Sequence, residues 1–137
     1  MIQLDAGQRR PSAVTTRLLS AARLLPRGRW RVVHWLAQKD PALQRLNLRN
    51  PGVPISFLGD LRIKSCIPHF LGNASGGRRL IEFLPRIVQQ GDIVFGVGTN
   101  IGLMSTLIAH CAEPQGRVVS IEPNPRLIEL LNDGIGK

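Results

Sequence analysis

The sequence predicts an α/β fold for residues 51–137, joined to a basic helical extension over residues 1–50. Over residues 91–125, short apolar runs typical of buried strands alternate with helical periodicity. Charge also separates the two parts: residues 1–50 hold ten basic and two acidic residues, whereas residues 51–137 hold eight and seven. Hydrophobic residues make up 43% of the 137-residue chain, which excludes a wholly disordered or collagen-like protein.

Two helices are predicted in the basic extension. Ser12 is a suitable N-cap for the first helix, whose apolar residues recur at helical spacing: Val14, Leu18, Ala21, Ala22 and Leu25. The second helix runs from Trp30 to Lys39. It ends before Pro41, because the residue that precedes a proline is disfavoured in the helical conformation.

The basic residues of the extension allow two interpretations. Five arginines accompany the helices with few acidic neighbours: Arg9, Arg17, Arg23, Arg29 and Arg31. They would form a basic amphipathic surface that contacts an anionic membrane or another acidic partner. Alternatively, they form a solvated face, and the apolar side of the helices, with Trp30 and Trp35, packs on the rest of the protein. No nucleic-acid-binding module accompanies them, so no nucleic-acid partner is predicted.

Turn residues divide the middle of the chain. Prolines and a glycine at residues 50–54 mark a domain boundary, and residues 55–66 are predicted as an extended hairpin that turns at Gly59-Asp60. Residues 72–77 are predicted as a loop. The following segment, Arg79–Gln90, has helical spacing, but Pro85 predicts a kink or an earlier break.

Several classes of site and location are excluded by spacing and hydropathy. Cys66 and Cys111 lie far apart and match no zinc spacing, so we expect two buried reduced thiols. The three histidines are also scattered: His34, His69 and His110. No run of about 18 uncharged apolar residues predicts a transmembrane helix, and no secretory signal is recognisable. Cytoplasmic location is therefore the default expectation.

The functional signal lies in residues 91–125. The run Ile93–Phe95 predicts a buried parallel strand, which is followed by a glycine loop over residues 96–102 and a helix over Leu103–Cys111. A second strand over Val118–Ile121 ends at Glu122, and a further helix begins near Pro125. Glycines let the backbone turn sharply and approach a ligand, and the helix N-terminus behind them offers unpaired N–H groups.

This order predicts a nucleoside-cofactor site. Glu122 stands 20 residues after Gly102, at the tip of the second strand, where it is placed to accept hydrogen bonds from ribose hydroxyls. A dinucleotide fingerprint, G-x-G-x-x-G, would require a third glycine at position 101, where this chain has Ile101. NAD is therefore a less favoured cofactor for this site. A strand–helix turn that binds no ligand is the second alternative.

Three segments resemble the FkbM-type S-adenosylmethionine-dependent methyltransferases: residues 91–95, residues 97–102 and residues 121–125. That family reads G-D-x-V-x-D-V-G-A-N-I-G, followed by a strand that ends in E-P-N-P. The resemblance implies a Rossmann-like methyltransferase fold that transfers a methyl group, usually to a hydroxyl of a sugar or other small molecule. It also implies that S-adenosylmethionine is held by the loop and by Glu122. The loop residues carried over are Gly98, Thr99, Asn100 and Gly102.

The chain departs from the family pattern in two ways. Gly96 stands where the family has an acidic residue that helps to hold the methionine end of the cofactor. Loss of one charge-assisted hydrogen bond, worth roughly 1.5–3 kcal/mol, predicts weakened cofactor binding. The family's sheet also has further strands after the second, so we expect an N-terminal portion truncated after the second core strand, with its catalytic base unidentified.

Two functions therefore stay open at the level of sequence. The first is a methyltransferase that uses S-adenosylmethionine and a small-molecule or sugar acceptor, present as an incomplete N-terminal portion. The second is a non-catalytic remnant whose basic extension binds a membrane or an acidic partner.

Overall fold

The computed structural model describes residues 10–49, 55–74 and 77–135. They divide into two compact units. The first unit comprises the described residues up to Leu48 together with Leu58–Ala74, and the second comprises the described residues of Arg49–Phe57 and those from 77 onward. The predicted boundary at residue 50 differs from this division, because residues 58–74 belong with the N-terminal helices. The turn residues 50–54 lie outside the described residues.

The first unit is mainly helical. Helices α1 (Ala13–Leu24), α2 (Arg29–Lys39) and α3 (Ile67–Phe70) pack on one another in sequence order. The Ser12 hydroxyl accepts a hydrogen bond from the Thr15 N–H at 3.0 Å, which confirms the predicted N-cap. Large apolar side chains from the helices and from the turns between them form the core of this unit: Leu19, Val33, Leu36, Leu43, Leu61 and Ile67.

A two-stranded sheet replaces the predicted hairpin. Strand β1 (Leu46–Arg49), which the sequence analysis did not predict, pairs with β2 (Ser56–Gly59). The chain does not return as a strand after Gly59, so the prediction of a hairpin turned at Gly59-Asp60 is wrong. The buried Asp60 carboxylate accepts hydrogen bonds from the N–H (2.8 Å) and the guanidinium (2.6 Å) of Arg62. These bonds close a turn, which leads into a 3₁₀ helix over Lys64–Cys66.

The two cysteines differ in their surroundings. Burial raises the pKa of the Cys66 thiol to about 11, so this thiol is protonated at neutral pH. Cys111 is only half-buried, so the prediction of two buried thiols is correct for Cys66 alone. Both cysteines are free. Within the described ranges, no cluster of three His, Cys, Asp or Glu side chains is arranged to hold a metal ion.

The second unit is built around a parallel pair of strands. Strands β3 (Ile93–Val97) and β4 (Arg117–Ile121) are connected by helix α5 (Leu103–Ala112), and helix α6 (Pro125–Ile135) follows β4. The register pairs each β3 residue from Ile93 to Val97 with its partner from Arg117 to Ile121. The sequence pattern predicts these elements in this order, and in the structure the two strands are parallel neighbours.

Only one face of the β3–β4 sheet is covered by the described part of the chain. Helix α5 packs on the strands, and four residues of alternate positions are half-buried: Val94, Gly96, Val118 and Ser120. The other face is exposed: Ile93, Phe95, Val97, Val119 and Ile121. The prediction of fully buried strands is therefore wrong here. An apolar run shows that its side chains can be buried. A strand is buried on both faces only when other elements pack against each face of the sheet.

Helix α4 (Arg78–Ile87) passes through Pro85 without ending there. Helix α4 packs against α5, and its side chains Ile81 and Leu84 are buried. This packing holds the chain helical up to Ile87, although proline removes one hydrogen-bond donor. The predicted extension to Gln90 is too long by three residues. Among the described helices, none has the length and apolar character needed to cross a membrane.

Candidate functional site

All the predicted site residues lie at the carboxyl ends of β3 and β4. The loop over residues 98–102 connects β3 to α5 and contains four of them: Gly98, Thr99, Asn100 and Gly102. Glu122 directly follows β4. Because the two strands are parallel neighbours, their ends meet at one edge of the sheet. Ligands of open parallel sheets bind in this position.

The loop is curled by three residues in the left-handed conformation. The φ angles are 70° at Gly98, 49° at Asn100 and 79° at Gly102. Glycine adopts this region without steric cost, and asparagine is among the side chains that tolerate it best. The Gly98 N–H donates to the carbonyl of Ile121 at 2.8 Å, and the Gly102 N–H donates to that of Thr99 at 3.0 Å. The loop therefore rests on the end of β4.

Gly98 and Gly102 differ in what surrounds them. No described atom lies within 4 Å of the position that a Cβ would take at Gly98, so the backbone there borders open space. A Cβ at Gly102 would instead collide with the side chain of Leu131 on α6. Gly98 thus leaves room beside the loop, whereas Gly102 allows α6 to pack closely against it.

The Glu122 carboxylate is held against the loop by two backbone groups. Its Oε2 accepts a hydrogen bond from the Asn100 N–H at 2.8 Å, and its Oε1 accepts one from the Asn124 N–H at 3.0 Å. The residue is half-buried. A carboxylate has about four lone-pair sites, so each oxygen keeps capacity for a further donor. The structure therefore presents a fixed acceptor beside the loop.

Helix α5 begins at the loop without a side-chain cap from the described residues. Gly102 occupies the N-cap position. The first backbone N–H groups of a helix have no partner within it, and they carry partial positive charge. Such a terminus attracts acceptor oxygens. The site therefore combines a carboxylate acceptor with a helix N-terminus whose backbone N–H groups suit an acceptor oxygen.

A group of small polar residues beneath the loop was not predicted from the sequence. The Ser120 hydroxyl donates to the Ser105 hydroxyl at 2.8 Å, which joins β4 to α5. The Thr99 hydroxyl oxygen is buried and has no hydrogen-bond partner among the described atoms. The sequence does show one serine in the apolar strand and one in the apolar helix. Their contact could not be predicted, because it depends on how the helix packs on the strand.

Gly96 lies next to this group. It pairs with Ser120 in the sheet register. A Cβ at position 96 would lie 3.0 Å from the Thr99 methyl carbon and 3.8 Å from the Ser105 hydroxyl oxygen. The acidic side chain of the family pattern is absent here, so Glu122 is the one carboxylate among the predicted site residues.

The histidines and tryptophans do not join this site. His34, Trp30 and Trp35 belong to α2, and His69 belongs to α3, both in the first unit. Burial lowers the pKa of His69. His110 lies exposed near the end of α5 that is remote from the loop. The structure thus brings together the loop and Glu122, and adds no histidine to them.

Comparisons with known proteins identify no relative of this chain: no protein-family model, no curated protein and no solved structure matches it. The resemblance to FkbM-type methyltransferases therefore rests on the residues quoted from the sequence.

Proposed function

We propose that this chain carries the cofactor half of an S-adenosylmethionine-dependent methyltransferase site on a Rossmann-like methyltransferase fold. The observation that carries the proposal is the 2.8 Å hydrogen bond from the Asn100 N–H to Glu122 Oε2. It joins the glycine loop after one parallel strand to the acidic residue after the next. An acidic residue at this position holds ribose hydroxyls in nucleotide-binding sheets.

The surrounding groups suit an adenosyl ligand. The remaining lone pairs of Glu122 would accept hydrogen bonds from the two ribose hydroxyls. The open space beside Gly98 allows a ligand to approach the backbone closely. The buried Thr99 hydroxyl, which has no partner among the described atoms, supplies a further polar group at the loop.

The proposed reaction is transfer of the methyl group from the sulfonium of S-adenosylmethionine to a hydroxyl oxygen. The products are a methyl ether and S-adenosylhomocysteine, and the acceptor hydroxyl loses its proton. The acceptor class, a small molecule or a sugar, follows from the family resemblance. Positioning of donor and acceptor would supply much of the rate. We assign no catalytic base.

The proposal is tested by calorimetry of the full chain with S-adenosylhomocysteine and its 2′-deoxyribose analogue. We expect saturable binding of S-adenosylhomocysteine with a Kd below millimolar, and binding of the deoxy analogue weaker by about tenfold or more. Glu122→Gln should weaken binding of the parent ligand and remove most of the difference between the two ligands. The matched control is Glu129→Gln, an equal change of charge at an exposed position of α6.

Three outcomes would contradict the proposal. A folded wild-type chain that binds neither ligand would favour the non-catalytic alternative. Binding of NADH in preference to S-adenosylhomocysteine would favour the dinucleotide alternative. An equal loss in Glu129→Gln would show that charge alone, and not the position of Glu122, controls affinity. Far-UV circular dichroism of each variant checks that the fold is retained.

A further inference from the structure

The first unit carries an excess of positive charge in its described residues. Ten basic residues lie there: Arg10, Arg17, Arg23, Arg27, Arg29, Arg31, Lys39, Arg45, Arg62 and Lys64. The two acidic residues, Asp40 and Asp60, are both engaged within the unit. Asp60 pairs with Arg62 at 2.6 Å, and Asp40 accepts from the backbone N–H groups of Ser12 (3.2 Å) and Ala42 (3.0 Å). Most of the positive charge is therefore left to face the surroundings.

Helix α1 presents apolar side chains to solvent as well as to the core. One face is buried: Thr15, Leu19 and Ala22. A second stripe, formed by Val14 and Leu18 at a spacing of four residues, is exposed, with Val14 67% accessible, and the exposed Leu25 directly follows the helix. Residues four apart share one side of a helix. Arg17 is exposed three residues after Val14, a spacing that makes the two side chains neighbours on the helix surface. The exposed stripe therefore carries both aliphatic and cationic groups.

Helix α2 repeats this combination with aromatic side chains. Trp35 is 56% exposed and lies one helical turn from each of two exposed cations, Arg31 and Lys39. Trp30 is also exposed. Its ring makes cation–π contacts with the Arg31 guanidinium, 5.4 Å from the ring centroid, and with the Lys64 ammonium, 5.8 Å from it. The interpretation that both tryptophans pack in the core does not agree with these exposures.

We propose that exposed residues of α1 and α2, together with Leu25 directly after α1, form a surface that binds anionic lipid membranes. We call this set the α1–α2 surface: Val14, Arg17, Leu18, Leu25, Trp30, Arg31, Trp35 and Lys39. Tryptophan rings occupy the boundary between headgroups and acyl chains, aliphatic side chains bury beside them, and arginines contact lipid phosphates. Juxtaposed cations strengthen binding to anionic leaflets.

The exposed aliphatic stripe favours a lipid over a nucleic acid. A phosphate backbone would be recognised by the cations alone, and Val14 and Leu18 would then have no apolar partner. Insertion into a bilayer interface buries these side chains and keeps the cations in the headgroup region. The α1–α2 surface belongs to the first unit and includes no residue of the proposed cofactor site, so the two proposals stand or fall separately.

The chain contains a built-in reporter for this interaction, because its two tryptophans both lie on the α1–α2 surface. The full chain is titrated at low salt with vesicles of phosphatidylcholine containing one third phosphatidylglycerol, and with pure phosphatidylcholine vesicles. With the anionic vesicles we expect a blue shift of tryptophan emission, quenching by lipids brominated in the acyl chain, and release at high salt. Pure phosphatidylcholine should bind much more weakly.

Paired variants separate local charge from net charge. Arg17→Gln with Arg31→Gln should weaken partitioning onto anionic vesicles by about 30-fold. The matched control, Arg117→Gln with Arg126→Gln, removes the same charge from exposed positions of β4 and α6 and should leave partitioning within about threefold of the wild type. Leu18→Ser should reduce quenching by brominated lipid while the salt dependence persists. Circular dichroism confirms that each variant is folded.

The proposal is overturned if tryptophan emission of the wild-type chain does not respond to anionic vesicles at low salt. Equal binding to neutral vesicles, or an equal loss in the control pair, would also overturn it. Duplex DNA provides the remaining comparison: if DNA shifts the emission and displaces the chain from vesicles that do not quench it, the surface binds nucleic acid and not lipid.

Discussion

The Glu122 carboxylate binds the backbone of the loop, and we propose that it also binds the ribose of the cofactor. It accepts hydrogen bonds from the N–H groups of Asn100 and Asn124, so its position depends on the curled backbone of the loop. The sequence predicted Glu122 as a site residue because an acid follows the second strand. Its bond to Asn100 spans 22 residues and could not be predicted, since it depends on how the loop folds back.

Gly96 is the residue at which the proposed site differs most from the family pattern. We expect Gly96→Asp to tighten binding of S-adenosylmethionine by about tenfold to a hundredfold, because it returns a carboxylate near a cationic ligand. The Thr99 methyl group, 3.0 Å from the new Cβ, must shift by a few tenths of an ångström. Titration calorimetry with S-adenosylmethionine measures the change.

The control for this substitution is Gly96→Ala, which introduces the same Cβ without the charge. Its affinity for S-adenosylmethionine should equal or fall below that of the wild type. If the alanine variant gains as much affinity as the aspartate variant, the gain comes from a stiffer strand, and the electrostatic explanation is wrong.

At the scale of elements, local pattern predicts most of the second unit. The apolar runs, the glycines between them and the helical spacing after residue 102 act locally, so the order strand, loop, helix and strand follows from the sequence alone. The first unit was predicted less well. Strand β1 was missed, since Leu46–Arg49 alternates over only four residues. In the second unit, the predicted break at Pro85 is wrong because α4 continues to Ile87, whereas the predicted kink stays a prediction.

The hydroxyl pair between β4 and α5 gives a prediction at this scale. Ser105→Ala removes the acceptor of the Ser120 hydroxyl, which is 2.8 Å away and partly buried. We expect a loss of about 1 kcal/mol in the free energy of unfolding, measured by urea titration at 25 °C. The double variant Ser105→Ala with Ser120→Ala should lose less than the sum of the two single losses.

Ser20→Ala is the comparison for the Ser105 variant. The Ser20 hydroxyl is exposed on α1 and donates to the carbonyl of Thr16, so its removal should change stability by about 0.5 kcal/mol or less. Additive losses at Ser105 and Ser120 would mean that the two hydroxyls do not stabilise the strand–helix contact jointly.

At the scale of the whole molecule, the described residues leave an apolar sheet face open. Phe95 is 66% exposed and Val97 is 80% exposed, beside the other outward side chains of β3 and β4. A contiguous apolar patch of this kind binds hydrophobic probes. The expected observation is strong fluorescence of Nile red, a neutral dye that the basic residues of the first unit do not attract.

Two substitutions locate the dye. Phe95→Thr with Val97→Thr keeps residues that favour strands and should lower Nile red fluorescence by about half or more, because it removes two of the most exposed apolar side chains of the patch. Ile128→Thr, at a 40% exposed position of α6, is the control and should change the signal little. Unchanged fluorescence in the double variant would place the dye elsewhere.

Local chemistry was sufficient to predict the helices of the basic extension, the parallel strand–helix–strand order, and the placement of a glycine loop and an acidic residue at the sheet edge. Helical periodicity, proline, and the left-handed conformation of glycine act within a few residues, so they can be recognised in the sequence. Tertiary packing alone decided which sheet face is covered, which hydroxyls of β4 and α5 meet, and how α6 approaches Gly102. These outcomes depend on contacts between distant segments, and local periodicity does not encode such contacts.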